Sequence, residues 1–157
     1  MKKPGKKQKT GVEHREQQIT PYLLYRDVGK AMKWLSKAFG FVPTGDQFAD
    51  KKGKLLHAAM RISRAGDLIM MGCPGPKYQN PKKLGTVTVS MYVVIDNADK
   101  HYQRAKTARA RILEKPADTF YGDRRYGAVD PEGHQWFFAQ HVRDVSKKEM
   151  EEALKNR

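Results

Sequence analysis

Arg124 and Arg125 stand between two phenols in the run Tyr121-Gly122-Asp123-Arg124-Arg125-Tyr126. Adjacent guanidiniums flanked by Tyr121 and Tyr126 suit an anion-binding lip, because the planar fork of arginine matches carboxylate and phosphate oxygens. His57 sits among apolar neighbours in His57-Ala58-Ala59-Met60, where an imidazole can serve as a base or a ligand. Met71 and Phe137, with Met60, Met70, Met91, Trp136 and Phe138, offer thioether and aromatic surface for an adaptable apolar cavity. Each has a plainer reading beside it. The arginines fit a solvated turn, His57 a hydrogen-bonded strand residue, and the apolar set an ordinary core. Cys73 precedes Pro74 with no basic partner in its pattern, so it reads as a passive thiol. His134 follows the turn residue Gly133 and reads as turn-stabilising. The five histidines show no i, i+2 or i, i+4 pair, so no local metal motif is present.

The elements that must position these groups can be read from period and punctuation. Residues 19–25 are apolar with Pro21 near the start, which predicts a strand at a sheet edge. Asp27 then caps a helix whose inward face is Val28, Ala31, Met32, Leu35, Ala38 and Phe39, closed by Gly40. Strands follow over 41–48, 55–62 and 67–72, with a turn at Asp50-Lys51-Lys52-Gly53. Residues 73–84 hold Pro74, Pro76 and Pro81 and read as a linker or binding loop.

The order then repeats. A strand is expected over 86–95, then a helix capped by Asp96 or Asn97 that turns Ala98, Tyr102 and Ala105 inward. Further strands are expected over 111–115, 126–129 and 135–141, with a turn or short strand at 119–123. The halves align at an offset of 69 residues, which lays Asp27 on Asp96, Gly53 on Gly122, and His57 on Tyr126. The same offset lays Leu68-Ile69-Met70 on Phe137-Phe138-Ala139. The expected fold is therefore α+β: two βαβββ repeats forming curved mixed sheets around a cavity, with half-repeats at 19–73 and 86–142. Ser146 and Glu149 form a capping-box pattern that starts a C-terminal helix within 143–157.

The chain has 157 residues and a net charge of +14. Residues 1–15 carry +5 of that, leaving +9 for the rest. Residues 1–18 lack apolar periodicity and read as a disordered basic tail, a source of non-specific nucleic-acid attraction at most. No apolar run reaches the ~20 residues that span a bilayer. A single cysteine and no apolar leader point to a cytoplasmic protein.

The stretch from Tyr121 through Asp130-Pro131-Glu132-Gly133-His134-Gln135-Trp136 resembles a segment of PhnB-like proteins in the glyoxalase/bleomycin-resistance/dioxygenase (vicinal oxygen chelate) superfamily. Pro21-Tyr22-Leu23-Leu24-Tyr25, the helix ending Phe39-Gly40-Phe41, and the pair 57–62 and 66–70 are similar to its first half. The resemblance spans 19–142. It implies paired modules, within a chain or across a homodimer, that enclose a cavity. It also implies a divalent metal held by His or Glu on the first and last strands of each half. Those positions fall near Thr20, Ser90, Ile69 to Met71, and Phe137, and none carries such a ligand. The expectation is a metal-free small-molecule binding protein without cofactor. Its ligand-binding candidates are His57, Met71, Tyr121, Arg124, Arg125 and Phe137. The alternative is a metal-dependent glyoxalase-like lyase or dioxygenase with atypical ligands.

Overall fold

The computed structural model of the protein describes residues 19–63 and 65–155. The expected basic tail at 1–18 lies outside the described residues. The element order is β1 (Tyr22–Leu24), α1 (Val28–Phe39), β2 (Val42–Ala49), β3 (Leu55–Arg61), β4 (Leu68–Gly72), α2 (Pro81–Leu84), β5 (Ser90–Val94), α3 (Ala98–Thr107), β6 (Arg111–Asp118), β7 (Asp123–Val129), β8 (Gln135–His141) and α4 (Lys147–Lys155).

The strands form two four-stranded mixed sheets of identical topology, β1-β4-β3-β2 and β5-β8-β7-β6. In each, the first strand pairs in parallel with the last and the other pairings are antiparallel. The duplicated βαβββ architecture is thus present. The single offset is corrected, however. The side chain that caps α3 is Asn97, which accepts from Lys100 N at 2.8 Å, as Asp27 accepts from Lys30 N at 2.9 Å in α1. Asp50–Gly53 does correspond to Thr119–Gly122, since both close the same hydrogen-bonded turn. On the strands, burial and register match Ala58 and Met60 to Tyr126 and Ala128, and Ile69 and Met71 to Trp136 and Phe138. The second half shortens between elements, and each shift of one residue swaps the two faces of a strand.

Helices α1 and α3 pack against each other, and each lies on one face of its own sheet. That face supplies a single core spanning both halves. Phe39 meets Phe138 at 4.7 Å and Phe41 meets Trp136 at 5.3 Å between ring centroids. Offset and tilted aromatic pairs of this kind add to their burial. Among the described residues, the helices that pack on the sheets, α1 and α3, leave the opposite face of each sheet open.

Segment 73–84 is not wholly loop. Asn80 accepts from Lys83 N at 3.1 Å, Pro81 takes the first helical position, and Gly85 closes the turn at φ 74°, giving the short α2. Strand β5 begins at Ser90, later than expected, while β6 and β7 run longer. At the C-terminus Ser146 and Glu149 cap each other: Glu149 N donates to Ser146 Oγ at 3.2 Å, and Ser146 N donates to Glu149 Oε2 at 2.8 Å. Helix α4 buries none of its residues. None of the described helices is long and apolar enough to cross a membrane.

Candidate functional site

The helix-free face of the second sheet gathers most of the chemistry. Register sets Tyr92, Phe137, Gly127 and Glu114 side by side across β5, β8, β7 and β6. The neighbouring row includes Val94, Ala139, Arg125 and Ala117. Gly127 is needed here, because a Cβ at that position would come within 2.9 Å of the Phe137 ring. The ring therefore lies close over Gly127, and the Arg125 guanidinium sits over it at 4.9 Å from the centroid. Arg125 also bonds Glu114 Oε2 through Nη2 at 2.7 Å. Its Nε–H is buried and has no partner among the described residues. Burial opposes the charge on Arg125, but Glu114 and Tyr121 outweigh it and raise the pKa.

Tyr121 and Arg125 share a cleft of about 480 Å³ with Glu114, Lys115, Asp118 and Phe120. Beside it, Tyr92 donates its hydroxyl to Asp123 Oδ2 at 2.7 Å. His141 contacts Asp123 Oδ1 at 3.2 Å and Asp144 Oδ1 at 2.9 Å. Asp144 and then Asp123 raise the His141 pKa by favouring the imidazolium. Burial, then the hydrogen bonds to Asp123 and Tyr121, push the Tyr92 phenol upward.

The first sheet carries a smaller counterpart. His57 Nδ1 meets the Tyr22 hydroxyl at 3.0 Å, with the Phe48 ring 5.7 Å from the imidazole. Tyr22 lies over Gly72, where a Cβ would come within 2.5 Å of its ring.

These placements sort the candidates. Tyr121, Arg125 and Phe137 come together on one open face, and His57 lies on the other. Arg124 does not join Arg125. Strand alternation turns it to the helix side, where it bonds Asp99 of α3 at 2.8 and 2.9 Å and Asp118 at 2.9 Å. Met71 is wholly buried in the core, and its neighbour Met70 takes the open face beside Tyr22. Tyr22, Tyr92, Asp123, Glu114 and His141 are not among the ligand-binding candidates that the sequence offers. Their signal was alternation with known core residues, which needs the strand register to be read.

The motif Asp130 to His134 is structural. Asp130 Oδ2 accepts from Tyr25 Oη at 2.7 Å and from Trp136 Nε1 at 3.3 Å. Its Oδ1 accepts from Glu132 N and His134 N at 3.0 and 3.1 Å. The Glu132 carboxylate accepts from Arg26 N, Asp27 N and Asn80 Nδ2. His134 Nε2 donates to Leu24 O at 3.0 Å. The turn thus fastens the second half to the end of β1.

The strand positions at which the sequence resemblance implies metal ligands carry little that would hold a divalent ion. One row across the open faces of β1, β4, β5 and β8 offers Tyr22, Met70, Tyr92 and Phe137; Thr20 lies before β1, Ser90 is a hydroxyl at the start of β5, and farther along β8 the same face carries His141, which Asp123 and Asp144 engage. Both phenols are engaged by His57 and Asp123, and neither a thioether nor a phenyl ring suits a hard or borderline cation. Among the described residues no group of three or more His, Cys, Asp or Glu side chains is placed to hold an ion.

Comparison with known proteins agrees with this architecture. An uncharacterised protein of Mycobacterium tuberculosis (strain ATCC 25618 / H37Rv), Rv0887c, is 34% identical over 143 residues, covering 88% of this chain and 83% of its own. The crystal structure of TioX from Micromonospora sp. ML1 superposes with a TM-score of 0.63 at 28% identity, covering 81% of this chain and all (100%) of TioX. The fosfomycin resistance protein FosX of Listeria monocytogenes shares the fold at 12% identity, with a TM-score of 0.59 over 86% of this chain and 98% of FosX. The profile of the Glyoxalase/Bleomycin resistance protein/Dioxygenase superfamily matches residues 17–138, from just before β1 into β8. With the first half-repeat and nearly all of the second inside that match, the chain belongs to the glyoxalase/bleomycin resistance protein/dioxygenase superfamily.

Proposed function

We propose that this chain is a metal-independent small-molecule binding protein, and that its ligand is a small planar anion taken into the Arg125 cleft. The carrying observation is Arg125 itself. Its guanidinium sits over Phe137 and is held by Glu114, yet keeps a buried Nε–H without a partner among the described residues. Buried polar groups are ordinarily satisfied, so Arg125, which lines the cleft, holds an unused donor just behind its wall that a ligand oxygen could take up if the side chain turned on binding. Tyr121 and Phe120 supply ring surface on the same cleft. Sequestration fits this picture, and the bleomycin-resistance name of the family points the same way. The Tyr121–Trp136 segment supports the PhnB-like branch, and the lone Cys73 supports a cytoplasmic setting.

The protein acts as a homodimer in this reading. Tyr22, Phe48 and Tyr92 on the open faces are 50%, 64% and 47% exposed, which is more than a closed cavity would leave. A second copy facing these sheets would cover them. The test of function is titration with planar carboxylates, comparing the wild type with Arg125→Ala.

One observation favours a second reading, an enzyme. Tyr92, Asp123 and His141 form a linked phenol–carboxylate–imidazole chain beside the cleft, a set able to move a proton. Elemental analysis of the untagged protein, with a lyase assay on hemithioacetals, separates the readings. Turnover that is lost in Asp123→Asn, or a stoichiometric divalent ion, contradicts the metal-independent binding role.

A further inference from the structure

A second cleft of about 530 Å³ opens at the other end of strands β6, β7 and β8 and shares no lining residue with the Arg125 cleft. Its walls include Trp34 of α1, Lys82 of α2, Arg109 after α3, Arg111 at the start of β6, and Gln135 of β8. No ion pair among the described residues engages the side chains of Lys82, Arg109 or Arg111. The one acidic group in its wall, Asp130, is 4% exposed and already bonded by Tyr25 and Trp136. Three cations thus face a cleft with no free carboxylate to neutralise them. An apolar pocket of about 290 Å³, lined by Tyr25, Ala31 and Leu35 among others, shares Trp34, Asp130 and Pro131 with it as a common wall.

Arg109 adds an independent point. It has φ 59°, and it is the one described non-glycine residue with positive φ. The matching bend after α1 uses Gly40 at φ 77°. An L-residue is disfavoured in this region, so a glycine would be the expected choice for the bend alone. The guanidinium is kept at the cleft despite that strain.

We propose that this cleft is a binding site for an aromatic phosphomonoester, with the ring against Trp34 and the phosphate held by Lys82, Arg109 and Arg111. Arginine and lysine suit the phosphate oxygens, and the indole offers both stacking surface and an apolar neighbour. The site is separate from the Arg125 cleft and stands whether or not that cleft binds a ligand.

Trp34 is the reporter, because Trp136, the other tryptophan, is fully buried in the core. Phenyl phosphate is titrated into the full chain while tryptophan fluorescence is followed. The expected result is saturable quenching that weakens about tenfold or more in Arg111→Ala and in Arg109→Gly, and persists in Arg125→Ala. Arg109→Gly removes the charge while relieving the backbone, so its loss of binding is not a folding defect. Non-saturable quenching, equal affinity in both variants, or an equal response to inorganic phosphate overturns the proposal.

Discussion

Tyr25 and Asp130, 105 positions apart, meet in the buried interior through a 2.7 Å hydrogen bond. Each belongs to a different half-repeat, so this bond is part of what makes the two halves one unit. Asp130 gathers two side-chain donors and two backbone N–H groups at once. Tyr25→Phe should lower stability by about 1–2 kcal/mol, and Asp130→Ala by about 3 kcal/mol or more, since it strands several donors. Urea unfolding measures both, and a neutral Asp130→Ala would show the turn to be dispensable.

His101 makes stability depend on pH. Its Nε2 donates to Phe39 O at 2.9 Å, its Nδ1 accepts from the Tyr126 hydroxyl, and its ring lies 4.3 Å from that of Phe138. Burial lowers its pKa to about 4, with Arg104 acting in the same sense and the Phe39 carbonyl against. The folded value lies below the unfolded one, so the unfolded chain takes up the proton first as pH falls. This stabilisation is complete above about pH 6.5 and declines toward about pH 4, by at most ~1.4 kcal/mol per unit. Urea midpoints across that window should fall in the wild type and flatten in His101→Gln. Parallel curves would contradict the assignment.

Arg109→Gly should raise stability by about 1 kcal/mol, because glycine accepts the left-handed bend after α3 without strain. Thermal unfolding reads the change. An unchanged or lower midpoint would mean that the side chain contributes to folding in a way that offsets its backbone strain.

Arg124 and Arg125 should behave differently although they are adjacent. Arg124→Ala breaks the link from β7 to Asp99 of α3 and should lower the melting temperature while leaving ligand binding unchanged. Arg125→Ala should weaken ligand binding, whatever its effect on melting temperature. The sequence held both arginines but not the phase of the strand. The same is true of Met70 and Met71. Helix caps and turns were legible because their chemistry is local: Asp27, Gly40, Gly53 and the Ser146–Glu149 box all took the expected roles. Cross-strand register is non-local, so the His57–Tyr22 and Tyr92–Asp123 pairs needed the folded sheets. The short α2 was marked by Asn80, Pro81 and Gly85, but the prolines around it read more strongly as loop.

Sedimentation at micromolar concentration should show a dimer, and Phe48→Glu, which charges an exposed ring on the first open face, should shift it to monomer. A monomeric wild type would remove the partner from the account.

The most direct measurement of the central claim is calorimetric titration of the untagged protein with 2-naphthoate, using the wild type, Arg125→Ala and Arg124→Ala. The account predicts saturable binding in the wild type and in Arg124→Ala, weakened about tenfold or more in Arg125→Ala, as loss of a charge-assisted hydrogen bond requires. Binding that is equally strong without Arg125, or no saturable heat in the wild type, would contradict it.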